Sequence, residues 1–391
     1  MGRTDHRFSN ESGVAVVQAK ASSAVEAAAE IARQLPRDGL AIVIVFCSPC
    51  YDPHEFAAEI AEIYGPIPVY GCTTAGELAP GGWDDNSVVA LGFSAQDFSA
   101  VARPLLDLAH FRVEDGRRIG AELRQEFTRC SPEVADQQSF GLLLIDGMCK
   151  REDAVMSALY ASLDNIHVVG GSAGDGLRFG QTWVFCDGQA HTDAAVLIIL
   201  TTSLPFRLFK CDNFEPTSTK MVVTEADIEL RVVKELNAEP AAQEYSRAVG
   251  IGDTHLDMFS FASHPVLVRA GGTYYARSIQ RVNPDDGSLN FYCAIDEGMV
   301  LTVAKARNPI GAMLELFAET RAEIGEVSLY IGFECLFRRL DAEQHQFARD
   351  MSELYRENRV VGFHTYGEQY RAMHLNQTLT GVAIGQRPVS P

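Results

Sequence analysis

The chain has 391 residues, 47% of them hydrophobic and 22% charged, which suits a globular protein of two or three domains with real cores. Its formal charge of −19, from 52 acidic against 33 basic residues, excludes a general attraction to nucleic acid or anionic lipid, and no basic run offsets it. No apolar run approaches the roughly 18 residues of a membrane span. The opening "MGRTDHRFSNES" lacks the apolar core of a signal peptide, and nine scattered cysteines do not resemble a disulfide framework. The expectation is a cytoplasmic chain with reduced thiols.

After a polar tail over residues 1–13, the run "LAIVIVFCSPC" predicts a buried strand. "YDPHEFAAEIAEIY" then predicts a helix with Asp52 as N-cap, Pro53 at the first helical position, and Phe56, Ile60 and Ile63 on one face. A Gly-rich turn follows at Val69–Glu77, "VYGCTTAGE", and then the apolar "NSVVALGFSA". The same order recurs twice. "FGLLLIDGMC" leads through Val155, Leu159 and Leu163 to "VVGGSAGD" at Val168–Asp175, and then to "AAVLIIL". "VSLYIGFEC" leads through Phe347, Met351 and Leu354 to "VVGFHTYGE" at Val360–Glu368, and then to "TLTGVAIG". Cys47 to Gly71 and Asp146 to Gly170 are both 24 residues apart, and Glu334 to Gly362 is 28, so a duplicated strand–helix–strand–turn–strand unit is expected.

Between the second and third units lies a different segment, with a helix over Ala241 to Ala248 and then strands alternating with Gly- and Asp-rich turns. A boundary near residue 215 gives domains over 14–214 and 215–388. The fold class is α/β to α+β, two domains of repeated units with helices packed on mixed sheets.

Several groups could carry chemistry. The turn acids Glu77, Asp175 and Glu368 sit beside hydroxyls, either as a ligand-facing feature or as structural pins. None of the turns has the Lys of a phosphate-binding loop. Cys47 and Cys50 have C-x-x-C spacing, and Cys72 and Cys149 occupy related positions, so a thiol or metal site requires the units to bring them together; ordinary buried thiols are the simpler expectation. Arg338, after a central strand, could hold a carboxylate bidentately or lie in a surface ion pair, and Arg339 is an equal candidate. The G-x-S-x-G spacing occurs at Gly170–Gly174, "GGSAG", within the Gly-rich turn and without the frame of a nucleophile elbow, and no H-E-x-x-H pair is present, so catalysis is not expected.

Taken in order, "VYGCTTAGELAPGGW", "VVGGSAGDG", "ELNAEPAAQEY", "FASHPVLV", "FECLFRR" and "GFHTYGEQY…HLNQT" resemble the FIST proteins, signal-transduction sensors with an N-terminal and a C-terminal FIST domain. The last two motifs look most like the stand-alone bacterial members, which bind haem, sense nitric oxide and alter a partner histidine kinase. That resemblance implies haem b, with His374, then His364, then His264 as the axial ligand, and with Tyr366 and Arg338 around it. Gly367, Glu368, Asn376, Gln377 and Thr378 would form the pocket or its turn, while each histidine could equally be a turn residue bonded to backbone. The alternatives are a haem-free receptor for an amino-acid-like metabolite and a cysteine or metal redox sensor. Homodimerisation stays open.

Overall fold

The computed structural model describes residues 13–130, 138–252 and 256–387; the tail expected over 1–13 lies outside them save for Gly13. The mixed α/β fold has two domains: a body of three six-stranded sheets, and an inserted sheet with its own small helices.

The body is a threefold repeat. The first sheet runs, in spatial order, Val14–Ala19, Val88–Ser94, Leu40–Cys47 and Val69–Thr73. The second runs Phe98–Leu106, Ala194–Thr202, Ser139–Ile145 and Val168–Ser172. The third runs Phe206–Cys211, Leu379–Gly385, Val327–Cys335 and Val360–Thr365. In each, the two inner strands that flank a helix are parallel and the others antiparallel. The repeat is longer than the sequence pattern suggests, because each unit opens with an edge strand and a helix: Ala24–Gln34, Val113–Cys130 or Pro309–Ile324.

Each unit completes its neighbour's sheet. The hairpin Glu77–Ala79/Gly82–Asp84 of the first unit pairs with Val360–Thr365 of the last. The hairpin Val184–Cys186/Gln189–His191 of the middle unit pairs with Val69–Thr73 of the first. The hairpin Glu368–Tyr370/Met373–Leu375 of the last unit pairs with Val168–Ser172 of the middle one. The exchange is cyclic, so hydrogen bonds cross any line drawn at residue 214.

Alternation along the central strands builds two kinds of core. Ile42, Ile44 and Phe46 meet Phe140, Leu142 and Leu144, together with Leu329, Ile331 and Phe333, between the three sheets. Phe46 packs on Phe363 at 4.8 Å between ring centroids and on Phe333 at 6.3 Å. The opposite faces are covered by helices, as with Val43 and Val45 under Ile31, Phe56 and Ile60. Asp52 caps its helix as the sequence predicts, accepting from the His54 and Glu55 amides at 3.0 and 2.8 Å.

The repeated glycine in each turn follows from the parallel pairing. Gly71, Gly170 and Gly362 face Val45, Leu143 and Gly332 in register. An added Cβ would strike the facing carbonyl in all three. The register also corrects the spacing: the residue equivalent to Cys47 and Glu334 is Ile145, not Asp146, so the matched count of 24 is one residue out of register.

The turn acids divide into two kinds. Glu77 accepts from the Thr74 hydroxyl at 2.5 Å and from the Ser87 amide and hydroxyl, each at 3.1 Å. Glu368 repeats this with the Thr365 hydroxyl at 2.5 Å and the Thr378 amide and hydroxyl at 3.0 and 2.8 Å. Each thus pins the start of its hairpin to the start of the strand that follows. In the middle unit the pin moves to Asp146, which binds the Thr182 hydroxyl and accepts from the Asp193 amide at 2.5 Å. Asp175 instead organises its own loop, accepting from the Phe179, Gly180 and Gln181 amides at 2.8–3.0 Å.

Burial raises the carboxyl of Glu77 to about 7 and that of Glu368 to about 8, from an ordinary 4.5. In its protonated form Glu77 can donate to Thr74, whose hydroxyl donates on to the Cys47 carbonyl at 3.4 Å.

Two outcomes are expected. Gly170→Ala should lower stability in urea by at least about 2 kcal/mol, through collision with the Leu143 carbonyl, whereas Gly81→Ala, with open space around it, should change little. Above an unfolded-state value near 4.5 the folded chain still holds protons on Glu77 and Glu368 that the unfolded chain has released. Their stabilisation is complete below pH 4.5 and is lost as pH rises through about 7 and 8, by up to roughly 3 kcal/mol at Glu77 and roughly 5 kcal/mol at Glu368. A pH series of unfolding curves should show this fall in the parent, and a flatter profile in Glu77→Gln with Glu368→Gln, since an amide keeps the bonds of the neutral acid.

Candidate functional site

The hydrogen-bonding residues near the carboxyl end gather where the last unit meets the inserted domain. That domain leaves the body after Phe206–Cys211 and returns before Pro309–Ile324, forming a sheet from Phe214–Asp227, Val300–Ala306 and shorter strands, with helices Ala241–Val249 and Met258–Ser263. Its buried Arg231 reaches Glu152 at 2.9 Å and Asp153 at 3.4 Å, anchoring it to the middle unit. The Ala294 amide adds a bond to Asp153 at 3.1 Å.

Tyr366 lies at this junction. Its hydroxyl donates to the Asp175 carboxylate and lies 3.0 Å from the Gly176 carbonyl, and its ring stacks on Phe179 at 4.6 Å. Phe179, Tyr292, Phe337 and Tyr366 enclose a small chamber with Ser278, Thr365 and Asn376, and its cavity of about 10 Å³ has room for one water. The Ser278 hydroxyl and the Asn376 amide nitrogen are buried there without a partner, while the Asn376 oxygen accepts from the Ser278 amide at 3.3 Å. Sequence reasoning misses Phe179, Ser278, Tyr292 and Phe337. They come from three stretches far apart in the chain, and the only local hint is a serine and a tyrosine flanking the short strands of "ARSIQRVNPDDGSLNFYC".

Arg338 is buried rather than in a surface pair. Its Nε donates to Glu334 at 3.1 Å and one terminal nitrogen to Asn213 at 2.7 Å, while the other has no partner. It lines a second cavity of about 10 Å³ with Gln377. Arg339 is held by Asp85, at 2.7 Å to each oxygen, and by Glu343 at 2.8 Å.

The three histidines are separated. His364 is fully buried with both ring nitrogens unbonded, its Nδ1 3.5 Å from Glu334 and its ring edge-on to Trp83 at 5.0 Å. Burial, reinforced by Arg339 and Arg338, drives its pKa well below the usual range, so the ring is neutral. His374 is also buried and its pKa depressed by burial; its Nδ1 lies 3.3 Å from the Gln369 amide, and its carbonyl accepts from Arg277 at 3.1 Å. His264 caps the helix Met258–Ser263, its Nδ1 3.0 Å from the Ser260 carbonyl and its own carbonyl accepting from Tyr245 at 2.6 Å.

Space for a ligand opens on the inserted domain. A cleft of about 770 Å³ lies between the helices Ala241–Val249 and Met258–Ser263 and the strand Ile279–Val282. Gln243, Ser246 and Asn283 give it polar walls, Met258 and Phe261 apolar ones. Arg281 stands on its edge, exposed, with no ion-pair partner among the described residues. Two wall residues connect inward. The Gln280 side chain lies beside the Tyr292 phenol of the aromatic chamber, and the Phe261 carbonyl accepts from Gln377 at 3.1 Å. A second open cleft, of about 500 Å³, lies on the body beside Thr73 and Trp183.

Haem requires an apolar slot beside its axial ligand. His374 is packed so closely on Gly367 that a Cβ there would strike the ring, and neither it nor His364 or His264 lines the two small cavities or the two open clefts. In this arrangement the three histidines do not fit the group. The cysteines are also dispersed: Cys72 faces the core between sheets, Cys47 faces the helices on the opposite side of the same sheet, Cys149 lies under the middle unit's helices and Cys50 is exposed. Burial raises the Cys47, Cys72 and Cys149 thiols, so they are held neutral. Among the described residues no group of three or more His, Cys, Asp or Glu is placed to hold a metal ion.

Gln377 adopts a left-handed backbone at φ 54°, directly before the Thr378 that binds Glu368. The last turn therefore serves structure through Glu368, Gly367 and Thr378, lines the aromatic chamber through Asn376, and touches the cleft wall through Gln377.

Among the described residues no helix is long and apolar enough to cross a membrane. No curated protein matches the chain. The family model described as the FIST N domain matches residues 41–239, and that of the FIST C domain matches 241–371. With both models matched in order along most of its length, the chain belongs to the FIST family.

Proposed function

We propose that the chain is a haem-free receptor for a small carboxylate-bearing metabolite, with free amino acids as the first class to test, and that the 770 Å³ cleft of the inserted domain is its binding site. FIST domains are ligand-binding sensor domains of signalling proteins. The observation that carries the reading is the cleft itself. Its volume falls within the roughly 300–1,000 Å³ typical of small-molecule sites, and its wall combines apolar side chains with a few polar ones and one unpaired guanidinium. Arg281 would take the carboxylate as a two-point contact, and Gln243, Ser246 and Asn283 would serve polar groups beyond it.

Occupancy can reach the body through Gln280 to Tyr292 and through Phe261 to Gln377, both of which touch the junction with the last unit. The bound state would be reported to a signalling partner, for which a sensor histidine kinase is the class implied by the resemblance. Haem-based sensing of nitric oxide is the competing reading. It would require the last turn to open around His374 or His364.

Thermal unfolding against a panel of amino acids and small carboxylic acids tests this. A ligand at a hundredfold excess over its Kd should stabilise the chain by about 2.7 kcal/mol. Arg281→Ala should remove that effect without lowering the ligand-free midpoint. Ferric haem is added in parallel. A saturable Soret band that moves with nitric oxide, with no stabilisation by the panel, would overturn the proposal in favour of haem; stabilisation that survives Arg281→Ala would overturn the assigned cleft.

A further inference from the structure

The threefold repeat predicts a crevice in each unit at the carboxyl ends of its two parallel strands, where open α/β sheets take their ligands. In the last unit this crevice begins at Cys335 and Thr365 and is roofed by Ser278 and Tyr292 of the inserted domain, which leaves the closed aromatic chamber. In the middle unit the inserted domain also sits close by, through Arg231 on Glu152 and Asp153. In the first unit the crevice is open. It is the cleft of about 500 Å³ beside Thr73 and Pro49, closed on one side by the Asp175–Trp183 loop of the middle unit.

We propose that this open crevice is a second ligand site, separate from the inserted-domain cleft, for a small molecule with a flat apolar body and one carboxylate or phosphate group. The charge follows from the two charged groups on its wall. Asp175 is saturated: its oxygens accept from three backbone amides and from the Tyr366 hydroxyl, leaving it no capacity for a ligand amine. Arg178 is the reverse. It is exposed, it donates only to the Pro49 carbonyl at 3.3 Å, and it has no ion-pair partner among the described residues, in a chain with 52 acidic side chains to 33 basic ones. Its remaining guanidinium donors are free for an anion.

The flat body follows from the other walls. Trp183 is half-buried and braced by the edge of His54 at 4.6 Å. Tyr51 spends its hydroxyl on the Ala21 and Asn86 carbonyls at 3.1 and 3.2 Å, so its ring serves as an apolar surface between Pro49 and Pro53.

The loop that carries Arg178 is also the floor of the aromatic chamber. Phe179, the next residue, stacks on Tyr366 and lies 5.9 Å from Tyr292, and it holds a left-handed backbone at φ 50°. A ligand that draws on Arg178 thus pulls on a strained residue packed against Tyr292, beside Gln280 of the other cleft.

Benzoate and phenyl phosphate are suitable probes, with benzylamine as the cationic control, titrated into the full chain by calorimetry. The chain has two tryptophans, so a Trp83→Phe background leaves Trp183 as the sole indole reporter. At least one anion should bind saturably and change Trp183 emission, with Arg178→Ala weakening it about tenfold or more, Arg281→Ala leaving it unchanged, and benzylamine silent. Should Trp83→Phe unfold the chain, calorimetry on the Arg178→Ala and Arg281→Ala variants alone decides the matter. Absence of saturable binding by both anions, binding that survives Arg178→Ala, or loss of binding in Arg281→Ala alone would each overturn the second site; the last would assign the anion to the inserted-domain cleft instead.

Discussion

The passing of hairpins around the three sheets is the constraint on which the rest of this molecule depends. Each sheet lacks two strands until a neighbouring unit supplies them, so no unit completes its hydrogen bonding alone. The glycines facing Val45, Leu143 and Gly332 belong to the parallel pairing inside each unit, which sets the strands that receive those hairpins. The exchange explains why the turns are pinned by buried carboxyls. A hairpin leaving its own unit must be held at a fixed angle to the strand that returns, and a carboxyl bonded to a hydroxyl on one side and an amide on the other does this at both Glu77 and Glu368.

Part of this is legible in local sequence patterns. The central strands, the capped helix after Asp52 and the threefold recurrence of the Gly-rich turn all follow from periodicity and turn chemistry over short stretches. The exchange of hairpins is not legible, since a three-residue strand such as Glu77–Ala79 carries no mark of which sheet it joins. The edge strands that open each unit are hidden for a related reason. Phe98–Leu106 and Phe206–Cys211 are largely half-exposed and interrupted by Arg103, Arg207 and Lys210, and so lack the uniform apolar character that makes the central strands conspicuous, while Val14–Ala19 is buried but short.

The site shows the same division. Tyr366 and Asn376 stand out in sequence because the last turn is rich in hydrogen-bonding groups, and both line the junction with the inserted domain. The histidines of that turn point to a harder problem: burial without a cavity looks the same in sequence as burial beside a ligand. His364 is enclosed by Trp83 and Glu334, and His374 by Gly367 and Gln369, partners that the chain order does not reveal. The cleft around Arg281 escapes sequence reasoning for the opposite reason. Its walls come from two short helices and a strand whose residues are individually ordinary, and only their arrangement makes a concavity.

The two matched family segments suggest pieces that could be cut apart, and the cyclic exchange says otherwise. A fragment ending near residue 240 would keep Glu77–Asp84 with no strand to pair with, and would leave the Val168–Ser172 edge bare where Glu368–Tyr370 belongs. A fragment beginning there would bare the Val360–Thr365 edge in turn. Exposed edges of that kind recruit other chains, so mixtures of halves would find their missing strands in one another. The two segments therefore form one ring of shared strands, in which hairpins from late in the chain complete sheets laid down by earlier units, and the reverse.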